Sequence, residues 1–308
     1  MLSKVAERVY WTARYIERVE NTARLVAVYA NLLLDLPKGV NLGWYNLIIL
    51  NSLQEPFDER YKVQDERNVV KFMLGDHNNP MSVVSSLNLV RENLRTTRDV
   101  VPAETWEMIN ELTIFVSDNV QKAVSRGQRH GFIEGIIRGC QQINGLLYGT
   151  MTHDEAWDFL RLGRNLERAD MTTRILDAGC FAILQTQDDD ALVNSLQIIW
   201  GNVLRSVGGE QSYRRKLRAS VKGQVVANYL LEDPQFPRTI EHCLEAIADS
   251  VTKLPRAEPV TKYVKSLRSR VFKDVQYENL EEPMRDYLNS LQLELGALHS
   301  TIAKQWFN

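Results

Sequence analysis

The stretch Arg14-Tyr15-Ile16-Glu17-Arg18-Val19-Glu20-Asn21-Thr22-Ala23-Arg24 decides the reading of this chain, because it occurs twice. The second copy, Arg164-Asn165-Leu166-Glu167-Arg168-Ala169-Asp170-Met171-Thr172-Thr173-Arg174, lies 150 positions later. The first Arg, the Glu-Arg pair, the second acid, the Thr and the last Arg recur in place, as do the apolar pairs Ile16/Leu166 and Leu25/Ile175. At about 100° per residue on a helix, Arg14, Glu17, Glu20, Asn21 and Arg24 fall on one side. Tyr15, Ile16, Val19, Ala23 and Val26 fall on the other. Each copy is therefore an amphipathic helix with a polar stripe of alternating charge. Arg14 and Glu17 are spaced i,i+3, and Glu20 precedes Arg24 at i,i+4, the better order for a helical ion pair. Two readings follow. In one, each stripe pairs with itself in solvent, where such pairs contribute little. In the other, the stripes face each other across a pseudo-twofold axis as a partly buried cluster of Arg14, Glu17, Arg18, Glu20, Arg24, Arg164, Glu167, Arg168, Asp170 and Arg174. Repetition within one chain favours the second, since solvated faces have little reason to stay alike.

The rest of the chain reads as helices, with no clear period-two segment bounded by turn residues. Ser3 is the expected N-cap of a first helix running to about Asp35 and stopped by Pro37 and Gly39. An apolar helix is expected from about Leu42 to Leu53, ended by Pro56, with a loop over 55–66. Further helices are expected from about Glu66 to Leu74, from Pro80 to Arg98, and from Pro102, whose missing N–H is harmless in a first turn. Gly127, Gly131, Gly135 and Gly139 would line one helix edge and let another backbone approach. The second motif helix is expected from Thr152 or Asp154 to near Gln187. Another starts at Asp188-Asp189-Asp190, runs to Val207 and ends at Gly208-Gly209, and a last one spans about Glu281 to Phe307. The turn around Asp76 and Pro80 is echoed around Asp233 and Pro237, 157 positions on. The offset has grown by about two helical turns. The expected architecture is all-α: one domain over 1–308, a pseudo-twofold duplicated helical bundle with halves of roughly 1–150 and 151–308.

A chain of 308 residues, 44% hydrophobic and 25% charged, has the composition of a soluble globular protein and ample length for a core. Its net charge of −2 gives no general pull towards nucleic acid or anionic membrane. Three widely spaced cysteines, Cys140, Cys180 and Cys243, make no metal pattern and suit reduced thiols in the cytoplasm. The charged N-terminal stretch is not expected to act as a signal peptide, and no run of 18 apolar residues occurs that could span a membrane.

Several of these motifs together resemble the alpha-E family, bacterial helical proteins named for a Glu-Arg motif. The resemblance covers nearly the whole chain. It rests on Tyr10-Trp11 with the first motif copy, on Asn79-Pro80, Ser82 and Ser85-Ser86-Leu87 with Arg91-Glu92-Asn93, on Trp157 to Thr172, and on Tyr213-Arg214-Arg215 with Asp233-Pro234-Gln235-Phe236-Pro237-Arg238. Asn165 departs from the Tyr expected there in many relatives. The resemblance implies a companion of circularly permuted ATP-grasp ligases and transglutaminase-like proteins, encoded beside or fused to them. It therefore implies a part in peptide-bond synthesis, modification or cleavage, and brings no established reaction with it.

The residues themselves offer three kinds of site. Glu17, Glu20, Glu167 and Asp170 would converge if the motif helices pack antiparallel, but bundle metal sites usually add Glu-x-x-His, which is missing here, and the arginines neutralise the acids without metal. No metal or cofactor is expected. Arginines oriented by carboxylates suit a peptide carboxylate or small anion, with Arg91, Glu92 and Asn93 as possible additions. The alternative is that the cluster locks the two halves in register. The five histidines are scattered, adjacent His242 and Cys243 point apart on a helix, and no nucleophile elbow or phosphate loop occurs. Asp76 and Asp233 read as turn residues. Basic runs at Arg214, Arg215, Lys216, Arg218 and Lys222 and at Lys262, Lys265, Arg268, Arg270 and Lys273 read as solvated faces or as docking for an acidic protein, ahead of nucleic acid. The expected function is a non-catalytic binding or scaffold subunit for an ATP-grasp ligase or transglutaminase-like partner. The competing expectation is an enzyme, or an anion- or peptide-binding protein, with the Glu/Arg cluster as its site.

Overall fold

The computed structural model describes residues 1–35, 43–184, 192–273 and 275–307. Every regular element among them is a helix, and none is long and apolar enough to cross a membrane. In order these are α1 (Ser3–Asp35), α2 (Asn46–Leu50), α3 (Gln54–Asp58), α4 (Glu66–Gly75), α5 (Val83–Arg95), α6 (Ala103–Asn119) and α7 (Arg126–Thr150). They continue with α8 (Glu155–Leu184), α9 (Leu192–Ser206), α10 (Glu210–Leu217), α11 (Gly223–Glu232), α12 (Ile240–Lys253), α13 (Glu258–Arg270) and α14 (Glu282–Trp306). A short 3₁₀ turn, Lys122–Val124, precedes α7.

The two motif helices, α1 and α8, are the axis of the bundle and pack most extensively on each other. Helix α1 is flanked by α5, α7 and α9, and α8 by α12, α14 and α9. Both are buried on most of their circumference, apolar and polar faces alike: Ile16, Val19, Glu17 and Glu20 in α1, Leu166, Ala169 and Glu167 in α8. A helix buried all round needs its polar stripe paired. What lets them approach is Gly163, where a Cβ would stand 2.2 Å from the Tyr10 carbonyl oxygen of α1. Backbone meets backbone there, one turn before Glu167.

Local chemistry sets the helix starts. Ser82 Oγ accepts from Ser85 N at 3.1 Å ahead of α5, and Thr239 Oγ1 accepts from His242 N at 3.3 Å ahead of α12. Asp154 does the same for α8, accepting from Ala156 N at 3.0 Å. Three readings need correction. Ser3 is already the first helical residue of α1. The apolar helix expected to run to Leu53 ends at Leu50, because Ser52 takes a left-handed conformation (φ 55°) that turns the chain. Pro56 lies inside α3, in its first turn where no N–H is required, so part of the expected 55–66 loop is helical. Of the glycine series, Gly135 and Gly139 make close contact, with Phe115 and Leu112 of α6; Gly127 and Gly131 face open space. Pro37, Gly39, Leu42 (the expected start of the second helix), Gln187 and Asp188-Asp189-Asp190 lie outside the described residues.

Candidate functional site

Glu17 and Glu167 are each 0% exposed, and each is held by the other helix. Glu167 of α8 accepts from Arg14 Nε at 2.7 Å, Arg18 Nε at 2.6 Å and Arg18 Nη2 at 3.1 Å, all from α1. Glu17 of α1 accepts from Arg168 Nε at 2.9 Å and Arg168 Nη2 at 2.8 Å, from α8. The Glu of each Glu-Arg pair therefore bonds the Arg of the other, two paired charge-assisted hydrogen bonds across the helix contact. Burial alone would raise the Glu167 pKa; Arg18 and Arg14 outweigh it and hold it at about 2. Glu17 is likewise pushed far down, burial being overcome by Arg168 and Arg238.

The second acids extend the network. Glu20 accepts from Arg24 Nε at 2.9 Å and Arg238 Nη2 at 2.6 Å, and Asp170 from Arg174 Nε at 2.9 Å. Arg174 also donates to the Leu50 carbonyl at 3.2 Å. The paired arginine side chains are only 11–15% exposed. Arg164 is the exception in its bonding: among the described residues its buried Nη2 finds no hydrogen-bond partner. It rests over the Trp157 ring, 5.8 Å from the centroid.

Three participants were not assigned to the cluster from the sequence, although Tyr10 and Arg238 lie in the motifs that carry the resemblance. Arg238, in the turn before α12, donates to Glu17 Oε1 at 2.9 Å, Asn21 Oδ1 at 2.7 Å and Glu20 Oε1 at 2.6 Å. It was missed because the corresponding position of the first turn is Met81, so repetition gave no signal. Tyr10 accepts from Arg14 Nη1 at 3.3 Å and meets His299 Nδ1 of α14 at 2.9 Å. Burial, then the Arg14 charge, lowers the His299 pKa to about 4, so the imidazole is neutral.

The structure does not bring Arg91, Glu92 and Asn93 into this network. Arg91 and Glu92 are exposed on α5, where Arg91 bonds Asn110 at 2.9 Å and Glu92 pairs with Arg95 at 3.4 Å. The Asn93 carbonyl accepts from Thr97 at 3.0 Å, a helix-end contact. The basic runs are partly paired with acids outside them, Arg214 with Glu210, Lys216 with Asp233, Arg268 with Glu241 and Arg270 with Glu294. The three cysteines are buried free thiols; burial pushes Cys243 up to about 12, leaving it unreactive. Among the described residues no group of three or more His, Cys, Asp or Glu is placed to hold a metal ion. None of the best-formed cavities there is lined by Glu17, Glu20 or Glu167.

These features define a class: an all-helical protein built on two central helices joined through a buried carboxylate–guanidinium junction. The chain belongs to the Alpha-E family, described as a predicted alpha-helical domain with a conserved ER motif, which matches residues 1–307. It is similar to the uncharacterized protein Mb2597 of Mycobacterium bovis and to the uncharacterized protein Rv2567 of Mycobacterium tuberculosis. Each is 21% identical over 324 residues, covering 97% of this chain and 35% of the relative, so the chain spans about a third of the length of these curated relatives. No solved structure matches it.

Proposed function

We propose that this chain is a non-catalytic scaffold that positions a peptide substrate for an ATP-grasp ligase or transglutaminase-like partner. The observation that carries this reading is the saturation of the junction. A general base needs a pKa near the working pH and a route to its substrate. Glu167 sits at about 2, is 0% exposed and is bonded by two guanidiniums, and Glu17 is equally buried and more heavily bonded. Such groups fix geometry; they do not move protons at neutral pH. The match to only 35% of the mycobacterial relatives supports a unit that works alongside further protein.

The same reading takes the chain as one domain of two duplicated halves related by a pseudo-twofold axis. Its support is the exchange of partners between the two Glu-Arg pairs, with α5 against α1 and α12 against α8, each started by a hydroxyl cap.

Co-purification tests the proposal. The tagged chain, at native level in its own host, is washed at low salt and its companions are identified by mass spectrometry. The expected result is a stoichiometric ligase or transglutaminase-like protein, released as salt rises if the basic faces dock it. Recovery of the chain with nothing attached overturns the scaffold.

A further inference from the structure

Every guanidinium of the junction but one touches a carboxylate. Arg14 and Arg18 share Glu167, Arg168 and Arg238 share Glu17, Arg24 and Arg238 share Glu20, and Arg174 holds Asp170. Arg164 is left over. The reason can be traced. Arg164 stands 150 positions after Arg14, whose carboxylate is Glu167, so its matching acid is Glu17. Arg238 occupies that place, reaching Glu17 Oε1 at 2.9 Å from a turn whose other copy carries Met81. One side of the junction has thus gained a guanidinium without gaining an acid.

The electrostatics follow. With Arg164, seven guanidiniums face four carboxylates (Glu17, Glu20, Glu167 and Asp170), a surplus of three positive charges in a mostly buried setting. Burial and then Arg168 lower the Arg164 pKa only to about 10, so it stays charged at neutral pH. The charges acting on it are those of Arg168, Glu17, Glu20 and Arg161; both acids are already bonded by other arginines, and Arg161 is bound to Asp249 at 2.7 Å. The residue as a whole is part-exposed, but its Nη2 is buried and without a partner among the described residues, and Trp157 backs the guanidinium. A guanidinium supported on an aromatic face, with unused N–H groups, is suited to a planar or tetrahedral oxyanion.

We propose that Arg164 anchors an oxyanion site that takes one carboxylate or phosphate group, the acid this side of the junction lacks. The site stands apart from the scaffold reading and does not depend on a protein partner.

Thermal melts of the full chain test it, in sodium phosphate, sodium acetate and sodium chloride at matched ionic strength. The expected result is a saturating rise in melting temperature above chloride of about 2–4 °C with phosphate or acetate at large excess. The anion that saturates identifies the source, phosphate or carboxylate. Arg164→Gln is expected to remove the rise, while Arg91→Gln, on the exposed face of α5, keeps it. Arg164→Lys keeps the charge without the fork, and the midpoint concentration should increase about tenfold. Melts in which both anions track chloride, an anion response retained in Arg164→Gln, or an unchanged midpoint in Arg164→Lys each overturn the site.

Discussion

On the Glu167 side of the junction every guanidinium comes from one helix, α1, and sits among the rings of Tyr10, Trp11 and Tyr15. On the Glu17 side the donors come from three places: Arg168 of α8, Asn21 of α1 and Arg238 of the turn before α12. The first arrangement is closed by aromatic packing, the second by a turn from the far end of the sequence. Arg14 and Arg18 depend on Glu167 for their carboxylate, whereas Arg238 has a second acid in Glu20. Similar sequence motifs are therefore expected to carry unequal shares of stability, because the neighbours that complete them differ.

The largest test of that inequality is Glu167→Gln. It strands two guanidiniums and should destabilise the fold by about 3–5 kcal/mol in urea unfolding. Glu17→Gln should cost clearly less, since Arg238 keeps Glu20; equal losses would remove the distinction. Next is Gly163→Ala, whose Cβ would meet the Tyr10 carbonyl at 2.2 Å. The helices must part, at a cost of about 1–3 kcal/mol or more, and both sides of the junction should suffer together. A variant as stable as the parent would show that the contact has slack.

Acid separates the sides by pH. The Glu167 pKa is depressed from 4.5 to about 2, so its contribution is full above pH 4.5 and is lost as pH falls towards 2. Glu17, also depressed, fails in the same direction. His299 is held neutral, its pKa lowered from 6.5 to about 4. Its unfolded form takes up a proton first, so stability declines earlier, between pH 6.5 and 4. Unfolding midpoints measured across pH should show both windows, and His299→Gln should erase only the upper one. An upper window that survives the substitution assigns it elsewhere. The smallest effect belongs to Arg164→Met, expected within about 0.5 kcal/mol of the parent or stabilising, because no acid is stranded. Its counterpart Arg14→Met should be clearly destabilising. Comparable losses in the two would mean that Arg164 already has its acid.

The helical class was legible because α1 and α8 carry a 3.6-residue pattern, and the charged stripe was legible because it is written twice. Partner choice was not. Whether Glu17 meets Arg14 in its own helix or Arg168 in the other depends on how close the axes come, and that is decided by Gly163, a single glycine outside the conspicuous series at 127–139. The place of Arg238 in the junction was illegible for the opposite reason, since repetition reveals only what both copies retain. Arg91, Glu92 and Asn93 misled because a motif residue need not face the motif helix; on α5 the packed positions are Leu87, Val90 and Leu94. Pro56 was read as a stop where the chain uses it as a start.

The ion pairs between α1 and α8 join residues 149 to 153 positions apart. At about 5–20 residues per second of synthesis, Arg14 and Arg18 are made roughly 8–30 s before Glu167. During that interval Arg14 and Arg18 lack their final acid and Glu17 lacks Arg168. The N-terminal half must therefore remain a waiting partner, and the completed junction records that the second motif helix has arrived.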